Sequence, residues 1–156
     1  MIREQIETTY KLLKQHITNI DEEKAIFQPE IANNNIKWQL GHIILLNDFL
    51  FFEKVNGENA LKQTISKYFL WGTSPKDFDG NEPSFKELKV LLGNQFDTIL
   101  NILDDQVEAE RDEPIMLKNI NLRMDTFEQS IHFAMLHINR HFGQIVMLKS
   151  MIENVK

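Results

Sequence analysis

The stretch from Ile36 to Val55 constrains the fold more than any other. Trp38, Leu40, Ile43, Ile44, Leu45, Leu46, Phe49, Leu50, Phe51, Phe52 and Val55 place apolar side chains nearly all round a helix, whereas a surface helix needs only one apolar stripe. Such a helix has to be covered on two sides, by neighbours in the fold or by a subunit contact as well. The rest of the chain supplies covering helices. Residues 2–20 set Ile2, Ile6, Leu13, Ile17 and Ile20 at helical spacing with charge between them. Ser84-Phe85-Lys86-Glu87 is a capping box that opens a third helix, with Phe85, Leu88, Leu92, Phe96, Ile99 and Leu103 on one face. Thr126-Phe127-Glu128-Gln129 is another, and opens a last helix to Glu153. Its stripe is Phe127, Ile131, Ala134, Met135, Ile138, Phe142, Ile145, Leu148 and Ile152. Residues 21–35 read as a connection, in which Pro29 blocks helix continuation and Asn33, Asn34 and Asn35 offer N-cap side chains. Residues 104–125, polar and acidic with Pro114, read as an irregular connection, and no strand-like alternation is evident. The expectation is an all-α four-helix bundle, one domain over residues 1–156, with long crossovers after the second and third helices.

Charge and composition narrow the function classes. A formal charge of -6 without a Lys/Arg-rich run argues against binding nucleic acid or an anionic membrane. Cysteine is absent, so any metal has N and O ligands and any thiol chemistry takes its thiol from outside. The N-terminal Met1-Ile2-Arg3-Glu4-Gln5-Ile6-Glu7 carries acids where a signal peptide carries an apolar run, and no apolar run of roughly 18 residues occurs. A cytoplasmic protein is the expectation.

Helical phase sorts the five histidines. His137 and His141, four apart, project from one face of the last helix, on the flank of its buried stripe. They line up with Ser130 and Ala134, whose small side chains leave space beside them. His132 points away from the stripe, and His16 lies at the margin of the first helix without a helical partner; both read as surface residues. His42 shares a line with Trp38, Leu45, Phe49 and Phe52, at the centre of an apolar face. A histidine in that position is either a hydrogen-bonded core residue or a ligand. Placed beside His137 and His141, it completes three imidazoles around a divalent metal such as Zn²⁺ or Ni²⁺, with a coordination position open. Such an ion can activate water or acidify a bound thiol.

Other positions bear on this site. Glu53 lies along nearly the same line as His42 and is the best-placed carboxylate for a general base, or it snorkels to solvent at the helix end. Tyr68, Phe69, Trp71 and Phe78 occur in a loop dense in turn formers; they either cover a pocket or plug one end of the core. Lys37 and Arg140 adjoin the histidines and read as solvated surface charges. Gly143 weakens the last helix unless another helix approaches closely there, within the fold or across a dimer.

The segment Asn35-Ile36-Lys37-Trp38-Gln39-Leu40-Gly41-His42-Ile43, followed by His137-xxx-His141-x-Gly143-Gln144-Ile145 on the last helix, resembles the DinB/YfiT-like superfamily of metal-binding four-helix bundles. The resemblance covers essentially the whole chain in length and motif order. It implies that His42, His137 and His141 are metal ligands, that the bundle runs up-down-down-up, and that the protein is a homodimer. Members of the family include thiol S-transferases that use bacillithiol, mycothiol or glutathione. The resemblance therefore implies a metal-dependent thiol S-transferase acting on a small-molecule thiol and an electrophilic substrate. A hydrolase using the same metal, and a non-catalytic dimer that binds metal or a small ligand, are the alternatives.

Overall fold

The structure, a computed structural model, describes residues 2–52, 60–106 and 110–154. Among the described residues, six α-helices and one β-hairpin follow in chain order: α1 (Ile2–Ile17), α2 (Glu22–Ile26), α3 (Ile36–Asn47), α4 (Ala60–Phe69), α5 (Phe85–Gln106), β1 (Glu110–Leu117), β2 (Leu122–Thr126) and α6 (Phe127–Asn154). Four of them, α1, α3, α5 and α6, form a ring in which α1 and α3 each touch both α5 and α6. Side-chain bonds to backbone give their directions. Arg3 Nη1 donates to Leu100 O and Lys89 Nζ to Ile20 O, so α1 and α5 are antiparallel. Lys149 Nζ donates to His16 O, which pairs the C-terminal ends of α1 and α6. Glu22 accepts from both Lys37 Nζ and Phe85 N, which brings the starts of α3 and α5 together. The order is thus up-down-down-up.

The predicted caps form. Asn35 accepts from Trp38 N at 2.8 Å and donates to Ile26 O at 3.0 Å, and it is 1% exposed. A buried side chain that ties two segments while capping a helix fixes where α3 begins. Ser84 Oγ accepts from Glu87 N while Glu87 accepts from Ser84 N, and Thr126 and Gln129 reciprocate in the same way at α6. Every residue of the expected α5 stripe is buried.

Four segments depart from the sequence expectation, one being Tyr68 and Phe69, which read as loop and instead form the last residues of α4. Within residues 21–35, read as a plain connection, Asp21 accepts from Lys24 N and starts the single turn α2, which buries Ala25. The helix expected to run from Ile36 to Val55 ends as α-helix at Asn47 and widens to a π turn over Asp48–Phe52. That wider turn re-phases the helix, so Leu50 and Phe51 enter the core while Phe49 and Phe52 are only half-buried. Within residues 104–125, read as irregular, an antiparallel hairpin forms with Ile115 opposite Met124 and Leu117 opposite Leu122. The register shifts between Glu110 and Ile115, the stretch that contains Pro114, and proline is tolerated in a ladder at such an irregularity. Ile115 and Met124 reach the core from the hairpin, too short a period-two signal to read from sequence.

Among the described residues Gly143 is not a point of close approach, since a Cβ there meets nothing within 4 Å. The glycine that a packing contact requires is Gly41, where an added Cβ would lie 2.3 Å from the ring of Phe69.

Candidate metal centre

Facing helices α3 and α6 bring His42, His137 and His141 together, with one ligand-capable nitrogen of each within 4.8 Å of the others. His137 and His141 lie one turn apart on α6, and their Nε2 atoms are 3.0 Å from each other. The other nitrogen of two of these rings is engaged. His42 Nδ1 donates to Phe69 O at 2.7 Å, and His141 Nδ1 donates to Gln39 Oε1. Both acceptors are oxygens without protons, so each ring carries its proton on Nδ1 and turns an Nε2 lone pair inward.

Burial pushes the pKa of His42 below the usual histidine value, against a rise from the Phe69 bond, and the charge of Arg140 lowers it further. Burial and then the neighbouring His141, His42 and Arg140 hold His137 down to about 2. His141 is held down to about 4 by burial, His42 and Arg140. All three are therefore neutral at pH 7. Because His141 carries its proton on Nδ1, its Nε2 accepts from His137 Nε2–H at 3.0 Å, and two nitrogens sharing one zinc ion at about 2 Å each sit at a similar spacing, roughly 3 Å. His137 Nδ1 is buried without a hydrogen-bond partner among the described residues. A neutral, all-imidazole donor set of this kind fits a divalent ion.

The α4–α5 connection supports the site. The Trp38 ring stacks on His42, with centroids 4.7 Å apart and planes at 13°, and its Nε1–H donates to Thr73 Oγ1. Thr73 Oγ1 in turn bonds Tyr68 O and Leu70 O. Because Gly41 lacks a Cβ, the Phe69 ring lies against α3, in the residue whose carbonyl holds His42. Of the aromatics expected over a pocket, Tyr68 is 1% exposed, bonds Asp79 at 2.6 Å, and packs with Phe78 and Phe69. Phe78 is half-buried on the same cluster, whereas Trp71 stands 74% exposed. Glu53 lies outside the described residues.

Lys37 corrects its reading as a solvated charge. It is 3% exposed, and its ammonium bonds Glu22 at 2.7 Å and Glu82 at 3.0 Å. Arg140 is exposed, as expected. His132 is exposed beside Glu128, and His16 bonds Leu12 O and meets Phe142 edge-on. The space expected beside Ser130 and Ala134 is partly taken by Arg111 from β1, which donates to Ser130 Oγ. Two surface grooves, one lined by Glu4, Thr8, His132 and Leu136 and one by Asn19, Ile36 and Lys149, include none of the three histidines. Sequence reasoning missed Gln39, the Phe69 carbonyl and Arg111. Only Gln39 left a signal, one helical turn before His42.

A family model of the DinB superfamily matches residues 5–145, a span that contains all three histidines. The chain belongs to the DinB superfamily. This DinB-superfamily chain also resembles in fold a conserved protein from Enterococcus faecalis, known by crystal structure, with a TM-score of 0.69 at 14% identity over 97% of this chain and 94% of that one. No curated protein matches it in sequence. Among the described residues no helix is long and apolar enough to cross a membrane.

Proposed function

We propose that this DinB-superfamily protein is a metal-dependent transferase that joins a low-molecular-weight thiol, of the bacillithiol type, to an electrophilic substrate. The observation that supports this reading is the convergence of three neutral imidazoles, with no carboxylate among them, within the field of Arg140. His42, His137 and His141 would hold the ion, zinc or nickel suiting imidazole best. Three protein ligands leave a position for a small molecule, which a closed structural site does not. When bound, the ion supplies Lewis acidity that lowers the pKa of a thiol there.

The chain's own residues prepare that position. Phe69 and Gln39 hold the His42 and His141 tautomers with Nε2 inward. Trp38 covers one face of His42, and Phe133 stacks near His137 with centroids 6.3 Å apart, so the rings are shielded from water. The positive charge of Arg140, unbalanced by any ion pair among the described residues, favours an anion such as a thiolate nearby. In the overall reaction a sulfur–carbon bond forms, the leaving group departs with its electron pair, and the thiol proton passes to solvent.

The test is conjugation of a bacillithiol-type thiol to a chloroarene electrophile by metal-loaded protein. The expected result is a metal-dependent rate that His141→Ala abolishes and that His132→Ala, at the exposed histidine, leaves intact. Absence of a metal-dependent rate across a panel of small thiols overturns the proposal. Metal-dependent ester hydrolysis without thiol would assign the same site to a hydrolase instead.

A further inference from the structure

Arg111 occupies an unusual position for a charged side chain. It reaches from β1 to the seam between α3 and α6, where Nη1 donates to Ser130 Oγ at 3.0 Å and Nη2 to Leu50 O at 2.7 Å. Its guanidinium lies 4.4 Å from the centroid of the Phe127 ring. Ser130 is fully buried, and its hydroxyl proton is committed to Thr126 O, so a lone pair faces the guanidinium. Among the described residues both of the bonds Arg111 makes go to neutral oxygens. Consistent with that, burial alone shifts its pKa, downwards, with no acid holding it up.

A guanidinium has five N–H donors, of which Arg111 commits two to neutral oxygens, leaving three. A half-buried cation so placed gains most from a bidentate oxyanion. Its location indicates which one. Ser130 lies on the same face of α6 as His137 and His141, seven residues before the first of them, and that separation corresponds to about 10 Å along the helix axis. Between Ser130 and His137 the same face of α6 carries Ala134, which is buried. Half-buried Phe133 stacks near His137 on the α6 side. The α6 residues between the two ends are thus apolar where they face inward, Ile131 and Ala134 among them.

We infer that Arg111 is a recognition site for a carboxylate on the small molecule whose sulfur occupies the three-histidine centre, with an apolar spacer of about 10 Å between the two groups. The assignment rests on the thiol reading of that centre and names the class of ligand, a thiol or thiol-bearing acid with its carboxylate remote from the sulfur.

The test uses Co²⁺-loaded full-length protein, with the thiolate-to-cobalt absorption band reporting binding. The probes are 8-mercaptooctanoate, whose extended length is roughly 10 Å, its neutral counterpart 8-mercaptooctanol, and the short pair 3-mercaptopropionate and 3-mercaptopropanol. The expected result is that the long acid binds roughly ten- to a hundred-fold more tightly than the long alcohol. Salt should reduce that advantage, and the short acid should have none over its alcohol. Arg111→Gln should weaken the long acid to the level of the alcohol, and Arg111→Lys should restore part of the difference. The comparison of acid with alcohol needs no variant, so misfolding of Arg111→Gln leaves the test decisive. Equal binding of long acid and long alcohol, or the same advantage for the short acid, overturns the carboxylate site while leaving the thiol reading standing. No absorption change with any of the four thiols overturns the thiol reading, and this assignment with it.

Discussion

At the scale of single residues, the orientation of three imidazoles depends on groups that are not themselves ligands. Gln39 and the Phe69 carbonyl each take one Nδ1 proton. Removing the first by Gln39→Leu should weaken metal affinity about 10- to 100-fold, read by competition with a chromophoric chelator. An unchanged affinity would show that His141 needs no such partner. Gly41→Ala drives a methyl into the Phe69 ring, and overpacking of this kind costs about 1–3 kcal/mol; thermal unfolding should show the loss. The histidines also make the metal-free protein acid-sensitive. Their folded pKa values lie below the usual value, so as pH falls below about 6.5 the unfolded chain takes up protons that the folded chain refuses. Stability is full above that pH and declines towards pH 4, by up to about 1.4 kcal/mol per pH unit for each histidine. Urea titrations of the metal-free protein across that range check the sign, and metal, which competes with the proton, should oppose the decline.

At the scale of elements, the site is assembled from α3, α6 and the α4–α5 connection, and each is anchored by a buried polar device. Lys37 joins the start of α3 to α2 through Glu22 and to the segment before α5 through Glu82. Glu22 is 44% and Glu82 11% exposed at the side chain, so solvent relieves part of the cost of breaking the pair. Lys37→Ala should still destabilise by about 2–3 kcal/mol, below the full cost of orphaning a buried charge, measured by urea unfolding. A loss near zero would mean that the two glutamates are satisfied by water. The end of α4 with the connection after it acts in the same way: the rings of Tyr68, Phe69 and Phe78 fill the end of the core while the Phe69 carbonyl and Thr73 hold His42 and Trp38.

At the scale of the whole molecule, the outer face of α6 carries Leu136 at 72% and Met147 at 53% exposure in line with the unobstructed Gly143. The homodimer implied by the family resemblance would cover such a face. Sedimentation should find a dimer that Leu136→Asp converts to monomer; a wild-type monomer would refute it. Much of the bundle was legible beforehand. The capping boxes at Ser84 and Thr126 and the stripes of α5 and α6 are local patterns, and local patterns report helix limits and buried faces. Helical phase likewise aligned His137 with His141 and set His42 on an inner face. What sequence alone determined was the buried stripes of the long helices, the caps at Asn35, Ser84 and Thr126, and the identity of the three histidines, because each depends on neighbours within a few positions. Only the tertiary structure decided that Phe69 and Gln39 orient the rings, that Lys37 is buried between two acids, and that Arg111 reaches the α3–α6 seam from a hairpin. Those contacts join residues distant in the chain, and the free energy that selects them arises only when the packed core removes each polar group from water and leaves it one partner.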